Sequence, residues 1–471
     1  MQSSSQHDVA TPPKIPTRWL VVVDTLAVLT LVLAFCVFTF GGFRNHIGGW
    51  RLSVTSSDRL FALAAILIVV RHALVPTPAM PQTLWRRLAH FWRSDERQAV
   101  WPAFVATRLG VLVAGFLGVV TLGFVPGSDL FQVSPNPLYN LPARWDASWY
   151  LNIVTRGYEW DGNPLREQNV VFFPAFPTAM RVAGSFLGGH WLNAGLLLAL
   201  AATFGALIYF YRLARDVLDA ERARTAVWML AAYPFAVYYS APYTEGFYLL
   251  GSVGAFYHAS RNQWGRAALW GLFVGLCRPN GFFLALPIAV MALTTTLKER
   301  RWSALSWSAA ITPLVGVLSF SAYLYVRFGD ALVWQKGQQA WGRVFVGVWA
   351  GISALVFDRT QQIGQLGVVG YVAAFPYDFM HTMCALFVLG SIWPTTRRFG
   401  PAYGLFTAIN IVPPLLIGGM MSIGRMSSVL FPAFLWLAAV VPHRHTAAWI
   451  AAACVLQGFI AVLFFTWRPV F

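Results

Sequence analysis

The chain is built from long apolar runs that alternate with short polar loops. Leu20–Phe40, Ala103–Val125 and Leu305–Val326 each approach the length of about 20 apolar residues that a helix needs to cross a bilayer. Hydrophobic residues make up 57% of the 471 residues and charged residues only 11%, whereas a soluble domain carries roughly 25% charged residues. The pattern predicts an all-α polytopic membrane protein and excludes a soluble globular domain.

Basic loops orient such a chain, because lysine and arginine favour the cytoplasmic side of a membrane. The segment Arg71–Gln98 is strongly basic, so we place it inside and predict that Ala103–Val125 crosses outward. Residues 126–190 then form a large outer loop. Within this loop, Val171–Leu187 is apolar but is interrupted by Pro174 and Pro177, which indicates a helix at the outer interface and not a span.

We predict about 13 membrane spans, divided among three parts of the chain. Residues 1–18 form a cytoplasmic tail, residues 19–101 hold two N-terminal spans and a basic loop, and residues 102–471 form the main transmembrane domain. The predicted spans besides those named above are Leu60–Val70, Trp191–Tyr211, Ala226–Ser240, Gly246–Ala259, Ala267–Leu276, Phe282–Leu297, Val372–Trp393, Tyr403–Ile417, Val429–Val441 and Ala448–Phe465.

The excess of basic charge has a membrane explanation. The chain holds 34 Lys and Arg against 18 Asp and Glu, a net charge of +16. These charges lie in short loops between apolar runs, so orientation and contact with anionic lipid explain them better than nucleic acid does. The four cysteines lie in apolar segments without paired spacing, so we expect neither a disulfide nor a zinc site.

One stretch, Leu141–Pro177, is polar in an otherwise apolar chain. It holds four of the 18 acidic residues and three arginines, interleaved with tryptophans and tyrosines. Membrane proteins keep such chemistry in few places, so we predict that this outer loop carries a ligand site. Its first acid, Asp146, follows Arg144 and Trp145. Asp146 is either the base of a transfer reaction or a helix N-cap paired with Arg144.

A phosphate leaving group would need only one such carboxylate, because phosphate departs as a stable anion, whereas glycoside hydrolases use two carboxylates. Three arginines fall in predicted outer loops, namely Arg278, Arg343 and Arg425. A guanidinium suits phosphate oxygens, or alternatively contacts lipid headgroups. Glu245, at the outer end of a predicted span, is a partner for a sugar hydroxyl, a neighbour of Asp146, or a helix cap.

The motif RWDASWYLNIVTRGYEW, followed by QNVVFFPAFP, resembles the first luminal loop of the GPI mannosyltransferase II (PIG-V-type) family, including its bacterial relatives. YYSAPYTEGFY, GLCRPNGFF, FGDALVWQKGQQAWGR and GRMSSVLFPAFLW resemble further segments of that family. The resemblance covers roughly residues 144–436. It implies a GT-C glycosyltransferase fold, a polyprenyl-phosphate-mannose donor, a site on the non-cytoplasmic face, and Asp146 as the catalytic base.

Together these inferences predict an inverting mannosyltransferase of the cell membrane that acts on a lipid-linked or glycan acceptor. The predicted substrate-binding residues are Arg144, Trp145, Glu245, Arg278, Asn280, Arg343 and Arg425. No ligand spacing demands a metal, although Asp146 with Glu159, Asp161 or Glu245 could hold a divalent ion.

Other functions stay open from the sequence. The same type of enzyme could use another polyprenyl-phosphate sugar, such as glucose or arabinose. Asp378 and His381 lie three residues apart inside a predicted span, and such a pair suits either the proton relay of a lipid or sugar transporter or an ion pair with Arg359. A non-catalytic membrane scaffold would leave the acid-rich, aromatic loop unexplained.

Overall fold

A computed structural model describes residues 22–23, 26–27, 29–31, 33–34, 37, 43–47, 50–54, 56–74, 94–127 and 131–470 of the chain. The predicted cytoplasmic tail and most of the predicted span Leu20–Phe40 lie outside the described residues. One antiparallel hairpin, β1 (Phe43–Ile47) and β2 (Trp50–Val54), was not expected. The other described residues form helices and loops, which confirms the predicted α-helical class.

The helices are α1 (Ser57–Leu74), α2 (Asp95–Leu122), α3 (Ala147–Arg156), α4 (Ala175–Phe186), α5 (Trp191–Val217), α6 (Ala220–Ala231), α7 (Glu245–Ala259), α8 (Trp264–Cys277), α9 (Ala285–Glu299), α10 (Ala304–Phe328), α11 (Val333–Lys336), α12 (Val348–Ile352), α13 (Asp358–Ala374), α14 (Pro376–Phe399), α15 (Pro401–Gly418), α16 (Ile423–Ser428), α17 (Phe431–Val440) and α18 (His443–Phe465). Short 3-10 helices cover Asn169–Val171, Pro234–Ser240, Pro279–Leu284 and Gly337–Trp341.

Several of these helices are long and apolar enough to cross a membrane. In the described part of the chain six meet that test, or up to seven if the bent pair of α12–α13 and α14 is one span, and α8 and α17 are shorter apolar helices. The protein is therefore a multi-pass membrane protein. The predicted number of about 13 spans is not confirmed.

Two predicted spans are broken in the structure, and proline explains both breaks. Ala226–Ser240 was predicted as one span, but α6 ends at Ala231 and a 3-10 helix starts at Pro234. Val372–Trp393 was predicted as another, but the chain bends by 99° between α13 and α14, where Pro376 starts α14. Proline lacks the amide hydrogen that would continue the preceding helix, and its ring disfavours the helical conformation of the residue before it.

Small residues let α8 and α10 approach closely. A side chain at Gly275 would overlap the carbonyl group of Pro313, and one at Gly316 would overlap the carbonyl oxygen of Leu272. Close backbone contact at glycine is a common way for membrane helices to pack. This contact fixes the end of α8, from which the turn Arg278–Gly281 extends.

A small apolar cluster places the outer part of the polar stretch over α10. Val170, Val171 and Phe173 pack with Phe320 and Val333, which belong to α10 and α11. The predicted interfacial helix corresponds to α4, which begins at Ala175, directly after Pro174.

The chain divides into two compact units, residues 1–92 with 185–190 and residues 93–184 with 191–471. All of the predicted site residues belong to the second unit. The predicted domain boundary at residue 101 stays a prediction.

Candidate active site

A cavity of about 1250 Å³ lies in the unit of residues 93–184 and 191–471. Polar side chains from five segments that are far apart in the sequence line it: Asp146, Thr244, Arg278, Arg343 and Arg425. Sequence analysis predicts all five segments on the same side of the membrane, and their convergence agrees with that prediction. Which of the two faces this is stays a prediction.

Asp146 lies in the turn before α3 and lines the cavity. Its carboxylate makes no capping hydrogen bond to the helix, and its ion-pair partner is Arg425, not Arg144. The alternative that Asp146 is a side-chain N-cap is therefore wrong. Trp145 has a φ of 50°, a left-handed value uncommon for a residue other than glycine. The Asp146 amide donates a hydrogen bond to the Tyr243 hydroxyl at 3.0 Å, which holds this turn.

Arg425, on the short helix α16, joins two acids. Its Nη1 donates to Asp146 and its Nε donates to Glu245. The guanidinium also lies 5.3 Å from the ring centre of Tyr238 and 4.6 Å from that of Tyr243. Two carboxylates and two aromatic faces together compensate a nearly buried cation.

Glu245 is the first residue of α7 and is fully buried. The same carboxylate oxygen that accepts from Arg425 lies 3.3 Å from Nη1 of Arg278. Asp146, Arg425, Glu245 and Arg278 thus form one continuous series of ion pairs, which we call the cavity network. The sequence prediction named all four residues but could not show that they contact one another.

Asn280 also lines the cavity, in the turn after α8. Its Nδ2 donates to Oδ1 of Asn410 at 2.9 Å, and the same oxygen accepts from the Tyr248 hydroxyl at 2.8 Å. Asn410 is buried on α15. Asn410 therefore holds the side-chain amide of Asn280, a predicted substrate-binding residue.

Arg343 is the cavity arginine that lies outside the cavity network. Its Nη1 donates to Oε1 of Gln338 at 3.2 Å, and among the described residues no carboxylate forms a salt bridge with it. Burial, followed by the charges of Arg425 and Arg278, lowers the pKa of Arg343 to about 10. Arg343 therefore remains a cation at neutral pH and carries positive charge into the cavity.

Arg144 lies behind the cavity wall, although the sequence predicted that it binds substrate. Its side chain is fully buried and donates to the carbonyl oxygens of Asn140, Ala143 and Phe465 at 2.7, 2.8 and 2.7 Å. Carbonyl oxygens thus take the hydrogen bonds of Nε and Nη1, and none of these partners is an anion. Arg144 thus ties the loop before α3 to the end of α18.

Aromatic rings form one side of the cavity. Trp149 stacks on Phe172 with 5.9 Å between ring centres, and Trp341 meets both rings edge to face. Trp145 lies 4.7 Å from Trp467. The cavity therefore combines apolar ring faces with a cluster of charges.

The loop after α3 closes in a hydrogen-bonded turn. Oδ1 of Asp161 accepts from the amide of Asn163 at 2.9 Å and from Nε2 of Gln168 at 2.7 Å, and Oδ2 pairs with Arg166. The hydrogen bond from the Asn163 amide, aided by Gln168 and Arg166, lowers the pKa of Asp161. This acid serves the turn and does not line the cavity.

Asp378 and His381 make hydrogen bonds to different partners. Asp378 accepts from Nε of Arg359 at 2.9 Å and from the Tyr371 hydroxyl, which confirms the alternative in which Asp378 pairs with Arg359. His381 lies one turn further along α14 and accepts a hydrogen bond from the Gly424 amide.

The tyrosines and amides that hold the charged groups were not predicted from the sequence. Tyr238 and Tyr243 face Arg425, while Asn410 and Gln338 hold Asn280 and Arg343. The motif YYSAPYTEGFY was noted, but only its glutamate was assigned. A run of tyrosines beside an acid was the available signal. Asn410 lies alone in an apolar run and gave none.

The Asp146 and Glu245 carboxylates already pair with guanidinium groups, so these two acids do not fit a divalent ion. In the part of the chain that the structure describes, no three His, Cys, Asp or Glu side chains are grouped as metal ligands. Of the cysteines, Cys277, Cys384 and Cys454 are free, and Cys36 lies outside the described residues.

Two solved structures are similar to this chain. One is ArnT from Cupriavidus metallidurans bound to undecaprenyl phosphate, with 15% identity and a TM-score of 0.42, covering 78% of this chain and 76% of that protein. The other is the oligosaccharyltransferase AglB from Archaeoglobus fulgidus in complex with an inhibitory peptide and a dolichol-phosphate. It has 15% identity and a TM-score of 0.37, covering 77% and 56%. TM-scores below 0.5 are too low for a comparison of sites.

Sequence comparison gives a more specific result. The chain is 26% identical over 204 residues to GPI mannosyltransferase 2 of Drosophila pseudoobscura pseudoobscura, which covers 39% of this chain and 43% of that protein. The chain thus matches less than half the length of this relative. Residues 126–335 match the family described as Mannosyltransferase (PIG-V). The resemblance of this chain to the mannosyltransferase (PIG-V) family is therefore confirmed over residues 126–335.

Proposed function

We propose that the protein is a GT-C glycosyltransferase that moves mannose from a polyprenyl-phosphate donor to a hydroxyl group of a lipid-linked or glycan acceptor, at the non-cytoplasmic face of the membrane. The observation that carries the proposal is the Asp146 carboxylate in the cavity, beside three arginines, Arg278, Arg343 and Arg425. A base next to a cationic site suits transfer from a phosphate-linked donor. The match of residues 126–335 to a mannosyltransferase family supports the sugar.

The reaction requires one bond to form and one to break at the anomeric carbon. The acceptor hydroxyl oxygen attacks this carbon, and its proton passes to the carboxylate of Asp146. The bond between the carbon and the phosphate oxygen breaks, and polyprenyl phosphate leaves with the electron pair. Attack from the face opposite the leaving group inverts the configuration.

The cavity arginines supply the charge that the leaving phosphate needs. Arg343 has no carboxylate partner among the described residues, so we assign it the first contact with the donor phosphate. A guanidinium presents several donors in a planar fork, which matches phosphate oxygens. Arg278 and Arg425 already bind carboxylates, and their positive charge also stabilises the added negative charge.

Arg425 also links donor binding to the proposed base, Asp146, because it pairs with this carboxylate. Its guanidinium donates to Oδ2 of the Asp146 carboxylate, so this oxygen is occupied while the ion pair is closed. A donor phosphate that draws Arg425 toward itself weakens this ion pair. We therefore propose that donor binding frees Asp146 for the acceptor proton, which would limit reaction in the absence of donor.

A transfer assay with the purified full-length protein in lipid nanodiscs tests this function. The donor panel contains polyprenyl-phosphate mannose, glucose and arabinose, and the product is followed by release of polyprenyl phosphate and by mass spectrometry of the acceptor. We expect transfer from the mannose donor above the others. Preference for glucose or arabinose would keep the enzyme class and change the sugar. No turnover of any polyprenyl-phosphate sugar with lipid-linked and glycan acceptors would contradict the proposal.

The variant Asp146→Asn tests the base within the same assay. It preserves shape and removes the proton acceptor, so we expect transfer to fall by roughly 10²- to 10⁴-fold. Asp161→Asn is the matched control, since Asp161 serves the outer turn, and it should retain most of the activity. A near-normal rate for Asp146→Asn would remove this residue from the mechanism.

A further inference from the structure

His381 is a buried titratable residue that the proposed mechanism does not use. It lies on α14 with 3% of its surface exposed. The Gly424 amide donates a hydrogen bond to Nδ1 of His381 at 3.0 Å. Because Nδ1 accepts this bond, the imidazole is neutral and carries its proton on Nε2.

The donor of this hydrogen bond lies at the start of α16, the helix that carries Arg425. In α16, Ile423 and Gly424 are the first two helical residues, and the first amides of a helix have no partner within it. The residue before the helix, Ser422, has a φ of 63° and its side chain makes no capping bond. His381 therefore acts as an N-cap provided by another helix.

Packing leaves little freedom at Gly424. The rings of His381 and Phe235 lie 5.2 Å apart, and a side chain at position 424 would overlap the ring of Phe235. The backbone before Arg425 is thus held between an imidazole acceptor and an aromatic ring. Phe235 belongs to the same 3-10 helix as Tyr238, whose ring faces Arg425.

Other contacts hold the opposite end of α16. The Tyr239 hydroxyl donates to the carbonyl oxygen of Ser428 at 2.6 Å, and Tyr233 shares a hydrogen bond with Ser427 at 2.8 Å. Arg425 lies between these anchors and His381. A helix of six residues that is anchored at one end only can pivot at the other, so the His381 contact sets the position of the Arg425 backbone.

We propose that His381 is a positioning residue for the transfer reaction. By accepting from the Gly424 amide it holds Arg425 where one guanidinium reaches both Asp146 and Glu245. This inference rests on the proposed function, because its consequence is the correct geometry for the donor phosphate and the base. His381 does not line the cavity.

Three variants of the full-length protein separate positioning from simple stability. His381→Leu removes the acceptor, and misplacement of a catalytic group by about 1 Å costs on the order of 10²-fold in rate, so we expect the donor kcat/KM to fall by roughly 10- to 100-fold. His381→Asn retains an acceptor oxygen near the position of Nδ1, and we expect it to stay within about threefold of the wild type. Val388→Ala opens a cavity on the same helix at a fully buried residue and should lower the unfolding temperature with little effect on transfer.

Two measurements decide the outcome. The first is transfer against unfolding temperature for all three variants. An unchanged rate for His381→Leu, equal loss in His381→Asn, or equal loss in Val388→Ala at the same unfolding temperature would overturn the positioning role. The second is hydrogen exchange of the peptide covering residues 420–428, which does not depend on activity. We expect faster exchange in His381→Leu alone, and unchanged exchange would overturn the proposal. If the wild type lacks transfer activity while His381→Leu still shows faster exchange, the proposed function is contradicted, but the contact by which His381 holds α16 is not.

Discussion

Charged side chains form ion pairs at both ends of the helices, and the two groups of pairs differ in burial. At the cavity, Arg425 and Glu245 of the cavity network are almost fully buried, with side-chain exposures of 10% and 0%. At the far end, Arg212 pairs with Glu96 at 2.7 Å with exposures of 37% and 30%. Asp95–Arg224 and Asp216–Arg261 belong to the same group, and we call the three the far-end ion pairs.

The helices themselves separate the two groups. Glu96 lies near the start of α2, a 28-residue helix of roughly 40 Å that ends just before the loop toward Asp146. Likewise Glu245 begins α7, and Arg261 follows its end. Water can reach the far-end ion pairs and replace a lost partner, whereas the cavity network must satisfy its charges internally. Ion pairs of similar length therefore differ in energy and in role when they differ in burial.

The largest effect on stability should come from Glu245→Gln. This change removes the anion that Arg425 and Arg278 share, and loss of one partner from a buried ion pair typically costs about 3–5 kcal/mol. We expect a lower free energy of unfolding and loss of transfer together. Glu96→Gln at the far end is the matched control. Equal changes in unfolding free energy for the two variants would contradict the distinction between the two ends.

Arg343→Gln should affect binding more than stability. Arg343 forms a hydrogen bond with Gln338 and no carboxylate pair among the described residues, so its removal leaves no acid uncompensated. We expect the KM for the donor to rise about tenfold, which corresponds to about 1.4 kcal/mol, at an unchanged unfolding temperature. Lys336→Gln is the control, because Lys336 lies in the same segment but pairs with Asp330. An unchanged donor KM would remove Arg343 from the phosphate site.

The smallest effect should come from Asp216→Asn at the far end. Arg261 is its partner, and about one third of each side chain is exposed. Exposed ion pairs contribute about 0.2–1 kcal/mol and are screened by salt. We expect a slight decrease in unfolding temperature at low salt, no difference at about 1 M salt, where screening is nearly complete, and unchanged transfer. A large, salt-independent loss would indicate that the far end is as closed as the cavity.

Much of the helical layout follows from composition and run length. The start of α10 and the end of α18 lie close to the predicted bounds, because an apolar run of span length has few alternatives to a helix. The prediction was wrong where a proline interrupts an apolar run, as at Pro234 and Pro376. Run length alone does not separate a continuous span from a short helix followed by a bend.

The candidate site was predictable residue by residue but not as an arrangement. Asp146, Glu245, Arg278, Arg343 and Arg425 stand out because charged residues are scarce in an apolar chain. Arg144 stands out for the same reason, yet carbonyl oxygens take up its guanidinium behind the cavity wall. An isolated charged residue in an apolar chain can belong to a ligand site or can hold two parts of the fold together. The sequence does not distinguish these two roles.

The sequence by itself determined the membrane class, the polar stretch Leu141–Pro177 and the type of chemistry that an acid and several arginines can support. Only the tertiary structure decided which acid meets which arginine, because Asp146 and Arg425 are separated by 279 positions and meet through the packing of α3, α7 and α16. It also showed that His381 accepts a hydrogen bond from the Gly424 amide. Pairing depends on distance in space, and burial then sets its strength; neither quantity can be read along the chain.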